Sequence, residues 1–368
     1  MKNKIDSIQI LRGLAALAVV LFHYRFYLVP DGGDMTIPDS ILGWGGIGVD
    51  LFFVISGFII YYVADGKDNG FKSSAEFIVN RLIRIVPLYY FILLIAFLTD
   101  GAMSIFHYPD KINNLISALT FTPYLQSSAP LYIDSNGMYN IRWSLNYELY
   151  FYLVFSICLL LKPRITALAF WFAIPAMVAY CLQSNFTLST KGYEFESVLA
   201  RFLTNPIIME FGFGVIVGYI YKKNKCRIKS QSALVPLLTL LCIGVGIYSQ
   251  KLTAYNLLSG VAFSLLVLVF ALYNDAVIRI FPRFFIVLGN ISFSLYLIHN
   301  PLSVFMLNKT EKILPGMLNS VPGFVAMTMT SIVAAYFSYR YVETKFTRKL
   351  RKKFHFVQKT SIPDTRPS

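Results

Sequence analysis

Ile8 to Leu28, IQILRGLAALAVVLFHYRFYL, is an apolar run long enough to cross a bilayer, which takes about 20 residues. Two polar residues interrupt it, Arg12 near its start and His23 towards its end. They are eleven residues apart, about three turns of helix, so both side chains point the same way, roughly 16 Å apart along the axis. A membrane helix rarely carries a cation and an imidazole on one stripe unless that stripe faces a polar interior. Alone, Arg12 also fits a residue snorkelling at the helix end. His23 lies well inside the run, where the bland alternative is a structural histidine with its hydrogen bonds satisfied.

The rest of the chain repeats the pattern. Of 368 residues, 56% are hydrophobic and 14% charged, against about 25% charged in soluble domains. Ten runs read as membrane helices: 8–28, 47–64, 86–99, 143–161, 165–182, 203–221, 232–249, 254–273, 284–307 and 322–342. The chain therefore reads as an all-α, multi-pass membrane bundle. No cleavable signal is visible, since the first run has no small-residue cleavage site. With the N-terminus inside, the cytoplasmic segments hold about three times as many Lys and Arg as the outer ones, so both termini are expected in the cytoplasm. The net charge of +14 belongs to these short loops and does not imply nucleic-acid binding. Cys158, Cys181, Cys242 and Cys226 have no metal-site or disulfide spacing, and no metal is expected. The membrane domain is read as residues 1–345 and a basic cytoplasmic tail as 346–368, with no hydrolase-like domain on the far side.

The connecting segments add detail. Glu76 to Val86 has apolar residues at helical spacing with Arg81 and Arg84, and reads as an amphipathic helix at the cytoplasmic surface, closed by Pro87. Its arginines suit lipid headgroups or a bound anion. Leu115 to Leu125, in the long outer stretch 100–142, reads as a short interfacial or re-entrant helix. Asn185-Phe186-Thr187 and Asn308-Lys309-Thr310 match a glycosylation pattern, a weak signal.

Counting ~1.5 Å per residue from each helix start places His23, Asp50, Glu148, Glu210 and His299 in one outer slab of the membrane. Arg12, Arg81 and Arg84 fall at or near the inner face. Each has a bland reading: a cap for Asp50, solvation for Glu148, a polar seam for Glu210, a proline kink for His299-Asn300-Pro301. Together they suggest a shared polar cavity. A histidine beside carboxylates supports general-base chemistry, and it equally suits a proton relay in a transporter.

The motifs resemble the membrane-bound acyltransferase family 3, the O-acetyltransferases that decorate bacterial polysaccharides and related glycans. The resemblance runs from Leu11 to about Glu343. It rests on Arg12 with His23, on Gly48 to Phe58 (GVDLFFVISGF), on Arg81 and Arg84 ahead of Pro87, on Trp143-Ser144-Leu145-Asn146-Tyr147-Glu148, on Glu210-Phe211 with Gly214, on Ser292 to His299 (SFSLYLIH), and on Tyr341-Val342-Glu343. The last motif departs from the family: Thr344 and Lys345 follow Glu343 where relatives often have Arg-Pro or Lys-Pro.

The resemblance implies ten core helices in the bacterial cytoplasmic (inner) membrane. It implies an acyl-CoA donor, most simply acetyl-CoA, used as co-substrate with no permanently bound cofactor. The acceptor would be a hydroxyl of a glycan or lipid-linked sugar, met on this chain or with a separate acceptor-side partner protein. His23 is then the essential base, oriented by Asp50 or Glu148, and Arg12, Arg81 and Arg84 line the donor path. Ser56, Trp143, Ser144, Glu210, Tyr296 and His299 are expected around the acceptor or the cavity. Trp143 and outer tyrosines would stack on sugar rings or form an aromatic belt. The rivals are a proton-coupled exporter and an acyltransferase acting on a small lipid or secondary metabolite.

Overall fold

The computed structural model describes residues 5–30, 32–64, 69–99, 102–137, 139–183, 186–224 and 232–353. Asn185, Cys226, the basic residues Lys2, Lys4, Lys67, Lys225, Arg227 and Lys229, and the tail from 354 onward lie outside the described residues.

The helices in chain order are α1 (Asp6–Tyr24), α2 (Thr36–Leu42), α3 (Gly48–Ala64), α4 (Phe71–Thr99), α5 (Ala102–Ile105) and α6 (Pro109–Thr120). There follow α7 (Trp143–Cys158), α8 (Arg164–Gln183), α9 (Val198–Thr204), α10 (Met209–Asn224) and α11 (Leu234–Tyr248). The last are α12 (Leu257–Leu272), α13 (Asn274–Ile280), α14 (Arg283–Thr310), α15 (Val321–Ser338) and α16 (Thr347–Lys353). No strand occurs among the described residues, so the chain is an all-α membrane protein.

Every one of the ten apolar runs lies on helix. Among the described residues, seven helical segments are long and apolar enough to cross a membrane, or eight if α12 and α13, bent by 90°, are taken as one. α11 has 15 residues and α7 has 16. α7 carries Asn146 and Glu148 on a largely buried helix, and a helix walled by protein need not match the apolar length of the bilayer.

Pro87 does not end a surface helix. α4 runs unbroken for 29 residues with Pro87 inside it. Proline removes one intrahelical bond, a loss that neighbours in a membrane bundle make up. Arg81 and Arg84 therefore sit on a bundle helix. The run 203–221 is instead interrupted at Asn205, whose side chain accepts from Ile207 N at 3.0 Å and caps a short 3-10 turn ahead of α10. Past α15, a π-helical stretch (Tyr339–Phe346) continues directly into α16, so the boundary read at 345 falls within continuous helix.

Two helix pairs approach so closely that only glycine fits. A Cβ on Gly289 of α14 would lie 1.8 Å from Gln9 O of α1. A Cβ on Gly57 of α3 would lie 2.1 Å from Phe211 O of α10, and one on Gly214 would lie 2.0 Å from Val54 O. Without a hydrophobic drive between helices in lipid, such close backbone packing is what holds them. These contacts clamp α1 on α14 and α3 on α10; Arg12, His23 and His299 lie on the first pair of helices and Asp50 and Glu210 on the second.

Candidate active site

A cavity of about 80 Å³ opens among α1, α3, α4, α7 and α14, lined mainly by apolar groups such as Phe52, Phe53 and Phe293. Into it face Arg12, Arg81 and Arg84, with Ser56, Ser144, Glu148, Tyr152 and Tyr296. Among the described residues, Arg81 and Arg84 make no hydrogen bond, and Arg12 makes one, from Nη1 to the neutral Gln9 Oε1 at 3.2 Å. None of the three is ion-paired within 4 Å. The Arg81 guanidinium lies 5.4 Å from the ring centroids of both Phe77 and Tyr152, and that of Arg84 lies 5.9 Å from Phe293. Three guanidinium groups gathered in a mostly apolar cavity without direct counter-ions have the chemistry to bind an anion.

The nearest negative charges are Glu148 and Glu343. Glu148 Oε1 accepts from Ser56 Oγ at 3.4 Å and from the Tyr152 hydroxyl. Glu343, in the π-helical stretch, faces Arg84 and Arg12 and accepts from Ser294 Oγ at 3.0 Å. Depth counting put Glu148 in the outer slab, apart from the arginines; the structure puts it on their cavity. Neither Tyr152 nor Glu343 was assigned a place in the cavity by sequence. Tyr152 follows Glu148 by one turn, the spacing that signals a shared face.

His23 and His299 meet on the seam between α1 and α14. His23 Nδ1 lies 2.9 Å from Val19 O and 3.4 Å from His299 Nε2, and His299 Nδ1 lies 3.2 Å from Leu295 O. A backbone carbonyl only accepts, so both Nδ1 atoms carry the proton. His299 Nε2 then offers its lone pair to His23 Nδ1–H, and His23 Nε2 is left unprotonated. Tyr24 fixes the seam, donating to His299 O at 2.6 Å and sharing a 2.7 Å hydrogen bond with Ser331. Tyr296 joins the histidines to the arginine cavity: its ring centroid is 5.9 Å from that of His299, and its hydroxyl meets Ser144 Oγ at 2.6 Å.

The carboxylates expected beside His23 lie elsewhere. Asp50 is fully buried and accepts from the backbone N–H groups of Tyr255 and Asn256, each at 3.1 Å, at the start of α12. It ties down the turn that leads into α12, a helix capped by Asn256 itself. Glu210, also fully buried, lies against Asp50. Trp143 is 5% exposed and packs edge-on against Phe53, Tyr147 and Tyr255, so it belongs to the core rather than to a sugar platform or a belt. Equal depth along the membrane normal leaves open the side of the helix a residue occupies. The single slab therefore resolves into three places: the arginine cavity with Glu148, the histidine pair, and the Asp50–Glu210 pair. Among the described residues no cluster of His, Cys, Asp and Glu is arranged to hold a metal. Asn146 escaped the sequence reading as a site residue, yet its buried amide has no hydrogen-bond partner on either atom.

The sequence model of the acyltransferase domain family matches residues 5–340. The chain belongs to the membrane-bound acyltransferase family 3. The matched span contains all the residues just described except Glu343, three positions beyond it. Among curated relatives, the exopolysaccharide production protein ExoZ of Rhizobium meliloti (strain 1021) is 28% identical over 188 residues, 49% of this chain and 52% of the relative. The peptidoglycan O-acetyltransferase OatA of Listeria monocytogenes serovar 1/2a is 28% identical over 170 residues, 43% of this chain and 25% of the relative. The O-acetyltransferase OatA of Staphylococcus aureus (strain NCTC 8325 / PS 47) is 21% identical over 387 residues, 95% of this chain and 58% of the relative. This chain thus spans about half the length of the first of these relatives and a quarter of the second. No solved structure gives a significant match.

Proposed function

We propose that this chain is an integral-membrane O-acyltransferase that moves an acetyl group from acetyl-CoA to a hydroxyl of a glycan or lipid-linked sugar. The observation that carries the proposal is one helix, α1, with an arginine in an anion-seeking cavity at one end and a histidine with a free Nε2 towards the other. Arg81, Arg84 and Arg12 take the phosphates of the donor, to which guanidinium groups donate bidentate hydrogen bonds. The pantetheine arm lies along Phe52 and Tyr296 towards His23. His23 Nε2 removes the proton from the acceptor hydroxyl as its oxygen attacks the thioester carbonyl. The tetrahedral adduct expels the CoA thiolate, which takes the proton back from the imidazolium. His299, accepting from Nδ1–H, holds the ring and supports its charge, in the place first given to Asp50 or Glu148.

ExoZ and the OatA proteins carry exopolysaccharide production and peptidoglycan O-acetylation in their names, which supports a glycan acceptor for this chain. The charge bias supports cytoplasmic termini, donor entry from the cytoplasm and residence in the bacterial inner membrane. Transfer is tested with purified protein and radiolabelled acetyl-CoA in detergent, where no gradient exists to drive an exporter. Wild type should release CoA and label added glycan. His23→Ala should lose ~10²–10⁴-fold of turnover while binding acetyl-CoA normally. A His23→Ala protein that folds and turns over like wild type would remove the mechanism.

A further inference from the structure

The first residues of the basic tail are docked on the bundle. The π-helical stretch after α15 passes into α16 without a break, and the Thr347 hydroxyl, buried at the junction, donates to Glu343 O. α16 packs against α4, the helix that carries Arg81 and Arg84. On α16, Arg351 is exposed, and its charge acts on both Arg84 and Arg81. Among the described residues Arg351 makes no hydrogen bond and no ion pair.

Arg84 is the common neighbour of Arg351 on α16 and of Arg12 on α1. Four guanidinium groups are thereby gathered near two carboxylates, Glu148 and Glu343, which leaves an excess of positive charge. Like charges held together repel, and an anion among them relieves the repulsion. The set is graded in exposure. Arg12, Arg81 and Arg84 are half-buried and line the cavity, while Arg351 is exposed and stands outside the lining. The donor of the proposed reaction has a matching polarity. Its thioester end goes inward, its diphosphate follows, and the 3′-phosphate on its ribose stays nearest the solvent. That last group is a phosphomonoester, which carries about −1.5 to −2 charge at pH 7 and three terminal oxygens that accept from a guanidinium.

We propose that Arg351 binds the 3′-phosphate of the donor nucleotide, so that the tail helix α16 selects CoA thioesters over their 3′-dephospho counterparts. This rests on the acyl-CoA reading of the arginine cavity. The diphosphate falls to Arg81 and Arg84, which lie one turn apart on α4. A lipid headgroup offers the same phosphate chemistry at the membrane surface, but as a diester with a single charge. A headgroup contact would account for Arg351 alone and gives no reason for it to face the arginines of the cavity.

The test is equilibrium binding of acetyl-CoA, acetyl-3′-dephospho-CoA and S-acetylpantetheine to the purified full chain in phospholipid-free detergent at one ionic strength. Wild type should bind acetyl-CoA about tenfold to a hundredfold more tightly than the dephospho compound, the worth of one charge-assisted contact. Arg351→Gln should bring that ratio close to one and leave S-acetylpantetheine affinity unchanged. Arg351 has no hydrogen bond or ion pair to lose among the described residues, so the variant should fold. Lys349→Gln removes the same charge from the opposite side of α16 and should keep the wild-type ratio. Added short-chain phosphatidylglycerol should leave the ratio unchanged; a headgroup site at Arg351 would drive it to one and overturn the proposal. A wild-type ratio near one, or an equal loss of both nucleotides in Arg351→Gln, also overturns it. Acetyl-CoA bound more tightly than S-acetylpantetheine, with that ratio near one, leaves the donor reading standing. Acetyl-CoA bound no better than S-acetylpantetheine removes the donor reading itself.

Discussion

Replacing Arg81 and Arg84 together with glutamine separates an anion site from a lipid contact. The structure sets the expected size of the effect. Neither guanidinium has a hydrogen bond or an ion pair among the described residues, so the double variant forfeits no such contact within the fold. It loses ring contacts, at 5.4 Å to Phe77 and Tyr152 and 5.9 Å to Phe293, each worth about 0.5–2 kcal/mol. Removing two cations that lack direct counter-ions offsets part of that. Folding should therefore survive. Binding should not: a hydrogen bond to a charged group contributes about 1.5–3 kcal/mol, so two lost phosphate contacts weaken acetyl-CoA by roughly two to four orders of magnitude.

The assay is equilibrium binding to purified protein, with acetyl-CoA and S-acetylpantetheine compared side by side. The second ligand keeps the arm and the thioester but lacks the phosphates. Wild type should bind acetyl-CoA far more tightly than S-acetylpantetheine, and the double variant should lose most of that difference, Arg12 and Arg351 keeping the remainder. Acetyl-CoA affinity within threefold of wild type, or an equal loss for both ligands, would refute the anion site.

Three further outcomes follow from the same geometry. Gly214→Leu should abolish the folded, monodisperse peak in size-exclusion chromatography, because its Cβ would sit 2.0 Å from Val54 O, while Gly244→Ala, with nothing within 4 Å, should leave it unchanged. His299→Leu should lower turnover about tenfold or more at unchanged acetyl-CoA affinity, since it removes the side-chain acceptor that faces His23 Nδ1–H. In a cysteine-free background, Lys191→Cys should react with a membrane-impermeant thiol reagent from outside and Lys223→Cys only after permeabilisation; the opposite pattern inverts the topology.

The helices were legible because lipid imposes a one-dimensional rule, a run of apolar residues of fixed length. The same rule does not fix the count. α7, with 16 residues, and α11, with 15, fall short of a full crossing by length, yet α7 is largely buried while most apolar side chains of α11 are exposed, a difference the sequence does not show. Arg12 and His23 could be placed on one face because a single helix relates them by rise and rotation alone. The relations between helices were not legible. Asp50 bonds to backbone at Tyr255 and Asn256, some two hundred positions away, and no periodicity encodes that. Glu343 reads as a doubtful motif end, and only the π-helical turn brings it towards Arg84. Gly57 and Gly214 were visible as motif letters, but that each is the other helix's packing surface needed coordinates.

A neutral imidazole in place of a carboxylate behind His23 has a physical rationale. His299 is fully buried, and a carboxylate there would have to be desolvated beside a ring that is itself uncharged between turnovers. An imidazole whose Nδ1–H is pinned to Leu295 O presents one lone pair in a fixed direction without carrying charge into the seam. The cost is weaker support for the imidazolium that forms when His23 takes a proton. In the proposed reaction that charge is short-lived, because the thiolate that leaves the tetrahedral adduct is the base that removes it. The arrangement suits a transferase, whose proton is borrowed and returned within one turnover. A transporter's relay must instead pass its proton onward, and this chain of groups stops at His299: its Nε2 accepts from His23 Nδ1–H, and its own Nδ1–H ends on the backbone carbonyl of Leu295, which accepts a hydrogen bond and relays nothing.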